Sequence, residues 1–173
     1  MKIVVVITGA SGLELGVKFI EFLPKEFEVF VVVSESAKLV QKLERKEVKV
    51  YQDSEIGSSI ASGSFGIDAV AVIPCSTNTL AKIACGIADN LSTRVASVAI
   101  KEGKTLLLAP REMPFSPIAL ENMLKLSRRG VIIAPPTLGY YSNPTTLEEM
   151  ERFIIGKMYD RLGIKNSLYK RWK

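Results

Sequence analysis

The chain contains no histidine. That absence removes the usual histidine-based catalytic triads and histidine metal centres, and leaves acid–base work to Glu, Asp, Lys, Tyr or Ser. Cysteine is scarce as well. Cys75 and Cys85 lie ten residues apart and match no zinc spacing, and a chain that is 47% hydrophobic needs neither disulfide nor metal to hold its core. No apolar run approaches a membrane span, and the N-terminus lacks the charged-then-apolar layout of a signal peptide, so a cytoplasmic protein is expected. The net charge of +5 is dispersed, with acids interleaved at Glu44-Arg45-Lys46-Glu47. Small anionic ligands account for that excess as well as nucleic acid does, and only the tail NSLYKRWK favours the latter. No internal repeat is present, and 173 residues fit one domain, with a basic tail from about Gly163 that carries the single tryptophan, Trp172.

What is present is organised around Lys2 to Gly16. The run Ile3 to Ile7 predicts a central parallel strand buried on both faces. It breaks into Thr8-Gly9-Ala10-Ser11-Gly12 before an apolar-periodic helix over Gly16 to Leu23, which Pro24 stops. A strand, a glycine turn and a helix in that order aim free backbone N–H groups at one point, which suits a phosphate.

Further strands are expected over Phe27 to Val33, Ile67 to Ile73, Lys104 to Ala109 and Val131 to Ala134, with a short one near Val48 to Tyr51. Helices are expected over Ala37 to Glu44, Leu80 to Ile87, Leu91 to Ile100, Pro117 to Ser127 and Thr146 to Leu162, the last opened by a Thr146-x-x-Glu149 capping box. Alternating strands and helices predict an α/β fold: a doubly wound, Rossmann- or flavodoxin-like open parallel sheet flanked by helices. Right-handed crossovers then collect Ser11, Ser34, Ser76 to Thr79, Arg111-Glu112 and the Pro135 to Pro144 loop on one sheet edge. Cys75 reads as a packed residue, since no activating neighbour is in view.

Several motifs recur together: TGASG after the first strand, SGS at 62 to 64, PCS followed by threonine, NL…R at 90 to 94 and PRE at 110 to 112. Leu120 to Leu126 (LENMLKL), Pro135-Pro136 and a tyrosine followed by x-x-Pro complete the set. In this order they resemble the UbiX-type flavin prenyltransferases, formerly described as aromatic-acid decarboxylases, of the flavin-containing cysteine decarboxylase fold group. The resemblance spans nearly the whole chain.

It implies a metal-independent enzyme that transfers a dimethylallyl group from dimethylallyl monophosphate to N5 and C6 of reduced FMN. The prenylated FMN would pass to a partner UbiD-type decarboxylase, and the enzyme would be a homododecamer with sites between subunits. Position by position, the resemblance implies FMN contacts from Gly9, Ala10, Ser11, Ser34, Ser76, Thr77, Asn78, Thr79 and Arg111. Arg94, Lys101, Tyr141 and Lys157 would hold the prenyl phosphate. Glu112 would protonate the leaving phosphate, Glu44 or Ser11 would take the C6 proton, and Trp172 would wall the allyl group. The family often has arginine where Lys157 stands, so the planar fork is missing at that position. Whether the donor carries one phosphate or two stays open.

Each of these residues also has an ordinary explanation. Arg94 and Lys101 can be a solvated stripe, Glu44 a charged helix end, Ser34 an N-cap, Tyr141 loop packing, Lys157 a surface lysine and Trp172 a tail anchor. A nicotinamide-dependent dehydrogenase fits the glycine turn but needs Tyr-x-x-x-Lys on a helix, and the only such pair, Tyr169 to Lys173, is in the tail. A non-prenylating FMN-binding protein and a peptidyl-cysteine decarboxylase of the same fold stay open as rivals.

Overall fold

The computed structural model describes residues 1–9, 12–34 and 48–171. The β-branched runs form strands β1 (Lys2–Ile7), β2 (Glu28–Val33), β3 (Lys49–Gln52), β4 (Ala69–Cys75), β5 (Thr105–Pro110) and β6 (Ile132–Ile133). All pair in parallel, in the order β3-β2-β1-β4-β5-β6. Among the described residues, five helices cover the sheet: α1 (Leu13–Glu21), α2 (Thr77–Cys85), α3 (Leu91–Lys101), α4 (Pro117–Ser127) and α5 (Leu147–Arg161). None is long and apolar enough to cross a membrane.

The two-residue period of the strands divides their side chains between two cores. Ile3, Val5, Ile7, Val31, Val33, Ala71 and Ile73 pack with α1 and α5, whereas Val4, Val6, Phe30, Val32, Val70 and Val72 pack with α2, α3 and α4. Both faces are therefore covered, which is why β1 and β4 read as unbroken apolar runs. The strand order reverses between β1 and β4, so the loops after these strands leave in opposite directions and open a crevice at their carboxyl ends.

The doubly wound sheet expected from the sequence is present, and several boundaries move. Helix α1 starts at Leu13 rather than Gly16, because Gly12 in a left-handed conformation turns the chain directly into it. Strand β4 runs through Pro74 to Cys75; a register shift between Val72 and Cys75 accommodates the proline. Helix α2 begins at Thr77 instead of Leu80, so the hydroxyl-rich stretch after Cys75 is a helical first turn. Pro117–Ser127 is helical as expected, and the Thr146 capping box is formed, with Glu149 N–H donating to Thr146 Oγ1 at 3.2 Å. The helix expected over Ala37 to Glu44 lies outside the described residues, as do Ala10, Ser11 and Trp172.

Candidate active site

The crevice is stitched shut at its base by Thr8, a residue that none of the sequence motifs singles out for a role. The buried Thr8 hydroxyl donates to Pro74 O at 3.1 Å and accepts from Ser76 N–H at 3.0 Å, tying the loop after β1 to the loop after β4. A hydroxyl placed directly between a buried strand and a glycine turn was the available clue. Gly9 and Gly12 have φ of 88° and 83°, which only glycine adopts without cost. A Cβ on Gly9 would sit 3.6 Å from Ser76 Cβ, and one on Gly12 would meet Arg111 Cδ at 3.4 Å. The turn thus lies under the Arg111 side chain that follows β5.

Two helices point their N-termini into this crevice. Helix α1 has no side-chain cap at Gly12, and α2 is capped by Ser76, whose Oγ accepts from Thr79 N–H at 3.1 Å. Thr77 and Asn78 lie in the first turn of α2, with Asn78 exposed; Thr79 is buried and shares a 2.9 Å hydrogen bond with Ser76 Oγ. Ser34, at the end of β2, turns back onto β1 through its N–H, which donates to Ile7 O at 3.3 Å. Free N–H groups of two helix starts beside an exposed arginine make a cradle for a phosphate. The small side chains at Gly9, Gly12 and Ser76 leave room for it, so the residues present fit a flavin mononucleotide.

Thr8→Val is expected to keep the shape of the side chain but leave Ser76 N–H and Pro74 O without their shared partner. The cost is about 1–3 kcal/mol of stability. FMN affinity should fall with it; thermal unfolding and flavin fluorescence titration check both.

A second space opens at the carboxyl end of β6. It has a volume of about 320 Å³ and is walled by apolar groups including Pro135, Leu138, Phe153 and Met158, with Tyr141, Lys157 and Arg161 also lining it. Tyr141 and Lys157, both predicted phosphate contacts, are thus brought to one cavity. Tyr141 stacks edge-on against Phe153 with ring centroids 5.4 Å apart, and Phe153 stacks likewise against Tyr169 at 5.2 Å. The Lys157 ammonium lies 5.9 Å from the Tyr169 ring centroid.

The tail is fastened beside this cavity. Arg171 grips Asp160 in bidentate fashion, at 2.8 and 3.0 Å, while Tyr169 OH donates to the same carboxylate at 2.6 Å and Asn166 Nδ2 at 2.9 Å. The Arg171 guanidinium, helped by Tyr169 and Asn166, holds the Asp160 carboxyl below its ordinary range. Burial and the Asp160 charge push the Tyr169 hydroxyl up to about 12, which keeps it a donor at neutral pH. A depressed folded value means that the clamp stabilises fully above the unfolded carboxyl value of about 3.9 and is lost as pH falls through the folded value. The Tm gap between the wild type and Asp160→Asn should therefore be widest near neutral pH and close as the solution is acidified through the depressed folded value of Asp160.

The remaining predicted residues are spread over the molecule. Arg94 and Lys101 are both exposed on the outer face of α3. Asn90 and Ser92 bond to Asp53, just after β3, which sets the N-terminus of α3 at the carboxyl edge. The helix then runs some 16 Å to the start of β5, so Lys101 stands at the opposite edge of the sheet from Arg111 and Glu112. Its ammonium bonds to Glu102 Oε1 at 2.8 Å and holds that carboxyl below its ordinary range. Within one chain, Lys101 does not reach the crevice. Glu112 is exposed just after β5, with Oε1 accepting from Met113 N–H at 3.2 Å. Cys75 is fully buried and burial pushes its thiol up to about 12, so it is a packing residue as expected.

A family described as flavoprotein matches residues 1–159. The flavin prenyltransferase UbiX of Helicobacter pylori (strain ATCC 700392 / 26695) is 49% identical over 185 residues, covering 99% of this chain and 98% of that protein. Among solved structures, a dodecameric FMN-dependent UbiX-like decarboxylase from Escherichia coli O157:H7 superposes with a TM-score of 0.88 at 36% identity, covering 100% of both chains. AnUbiX in complex with FMN and dimethylallyl pyrophosphate gives a TM-score of 0.89 at 32% identity, covering 99% of this chain and 97% of that one.

Proposed function

We propose, from the premise that the chain belongs to the UbiX family of flavin prenyltransferases, that it joins a dimethylallyl group from dimethylallyl monophosphate to N5 and C6 of reduced FMN. The observation that carries the proposal is the pairing of a phosphate cradle at the β1/β4 crevice with an apolar cavity, lined also by Tyr141 and Lys157, at the same sheet edge. Reduced FMN supplies the two nucleophilic ring atoms. Gly9, Ala10, Ser11, Ser34, Ser76, Thr77, Asn78 and Arg111 hold it, while Thr79 acts indirectly by fixing Ser76.

The allylic C–O electron pair leaves with the phosphate, so positive charge must gather there. Tyr141, Lys157 and Arg94 supply donors, and Lys101 supplies one from an adjoining copy, since α3 carries it away from its own crevice. Glu112 delivers a proton to the departing phosphate, and Glu44, or Ser11 relaying to it, removes the proton from C6. Trp172 shields the allylic carbon. Because side chains provide the charge, the scheme calls for no metal.

A homododecamer like that of the Escherichia coli relative would bring such copies together and would cover Met113, Ile118, Leu120 and Leu124, which one chain leaves exposed. The product would go to a UbiD-type decarboxylase. Both cysteines are free thiols, in keeping with the reducing cytoplasm. Anaerobic incubation with reduced FMN and dimethylallyl monophosphate, followed by mass spectrometry of the extracted flavin, tests the proposal. A flavin heavier by one C5H8 unit is expected; unmodified FMN recovered from the protein would overturn the transferase and leave a flavin-binding protein.

A further inference from the structure

Tyr141 sits on a three-residue turn, Tyr140–Ser142, in the long connection between β6 and α5. Hydrogen bonds inside the turn give it its shape: Ser142 Oγ donates to Gly139 O at 2.7 Å, and Asn143 N–H to Tyr140 O at 3.0 Å. Such bonds do not fix where the turn stands on the body. The Tyr141 ring does that. It meets Phe153 at 5.4 Å and 83°, and Phe153 meets Tyr169 at 5.2 Å and 77°. Near-perpendicular pairs hold direction as well as distance, because a positive ring edge is set against a negative face.

Two glycines make this row of rings possible. Phe153 is buried, and a Cβ on Gly139 would overlap its ring; a Cβ on Gly156 would overlap the ring of Tyr169. Neither glycine has a positive φ, so what calls for glycine is the close approach of an aromatic ring. Phe153, Gly156 and Asp160 follow at three- and four-residue steps along α5. One helix face therefore carries the middle ring, the gap that receives Tyr169 and the carboxylate that anchors the tail. Tyr169 and Arg171 both bond to that carboxylate, and the Arg171 guanidinium also lies 5.3 Å from the Tyr169 ring centroid. A continuous chain of contacts thus runs from Asp160 through Tyr169 and Phe153 to Tyr141.

We infer that Tyr169 and Asp160 are positioning residues for prenyl transfer, acting through the Phe153 ring to hold Tyr141 at the donor cavity. The inference rests on the proposed function for the contact between Tyr141 and the donor phosphate, and extends it to side chains that take no part in the reaction itself.

The test uses the FMN-loaded full chain. Tyr169→Leu should lower kcat/KM for dimethylallyl monophosphate about tenfold with FMN still bound. Asp160→Asn should lower it less, and Tyr169→Phe, which keeps the ring, should recover most of the loss. A tail that merely supports the fold would lower Tm and act independently of Tyr141. A double-mutant cycle separates the two roles: in a Tyr141→Phe background, Tyr169→Leu should cost less than about a further twofold. A full tenfold penalty in that background overturns the inference, and so does a Tyr169→Leu variant with unchanged kcat/KM.

Fluorine NMR of the chain labelled with fluorotyrosine reads the placement without the reaction. The chain has five tyrosines, and Tyr141→Phe identifies the Tyr141 resonance. Asp160→Asn, which leaves all three rings in place, should shift that resonance; an unmoved resonance overturns the inference. If the wild type yields no prenylated FMN, the transferase fails, while the resonance still decides whether the tail places Tyr141.

Discussion

Glu112→Gln should lower the rate of prenyl transfer by about 10²–10⁴-fold while leaving FMN bound. The glutamine keeps the shape of the side chain, and its Oε1 still accepts from Met113 N–H, the 3.2 Å contact made by the carboxyl. What it loses is the proton for the departing phosphate. Because Glu112 is exposed and lies after β5 rather than within it, the fold should not register the change. Lys101→Ala should be similarly inactive for a different reason, loss of charge stabilisation at the leaving group.

The two variants then make a stronger experiment together. Lys101 stands at the amino edge of the sheet, at the far end of a helix some 16 Å long, and Glu112 at the carboxyl edge. If every site takes Lys101 from one copy and Glu112 from another, mixed assemblies of the two inactive variants contain some sites with both native residues. Co-refolded or co-expressed mixtures should regain prenylated FMN, read as a flavin heavier by one C5H8 unit. If mixing restores nothing, the sharing of the site between copies is wrong.

That separation also marks the limit of what the chain's pattern could disclose. The seven-residue spacing of Arg94 and Lys101 correctly put both on one helix face. Spacing alone says nothing of which way α3 runs; its direction follows from feeding the amino end of β5, and the tie between Asp53 and the start of the helix, a contact across 39 positions of chain, holds it there. The strands were legible because burial on both faces forces continuous β-branched runs. The extent of β4 was not, since Pro74 ordinarily ends a strand and here sits at an irregularity. Ser76, Arg111 and Tyr141 stand at the expected sheet edge, while Lys157 reaches the same cavity as Tyr141 from α5. Thr79, a flavin contact by the resemblance, is buried and bonded to Ser76, a placement that its sequence position did not disclose.

Gly16→Ala is expected to destabilise the protein by about 3 kcal/mol, the upper part of the range for forcing extra atoms into a packed site. The sign matters more than the size. Glycine inside a helix normally costs about 0.5–1 kcal/mol relative to alanine, so at an ordinary helical position this substitution stabilises. Gly16 lies in α1 where the helix crosses the sheet, and a Cβ there would come within 2.4 Å of Ile73 O and 3.0 Å of Ile7 Cδ1. Ile73 O belongs to β4 at the centre of the sheet, so it has no freedom to retreat, and the helix must lift instead. Lifting α1 moves its N-terminus, and with it the Gly12 end of the phosphate cradle. A loss of about 3 kcal/mol corresponds to a Tm drop of roughly 6–12 °C for a chain of this size, and FMN affinity should fall in step. Gly57→Ala, where a Cβ meets nothing within 4 Å, serves as the control and should shift Tm little. If Gly16→Ala instead raised Tm, as it would at a free helical position, then α1 would not press on the sheet at this point and could not set the height of the cradle.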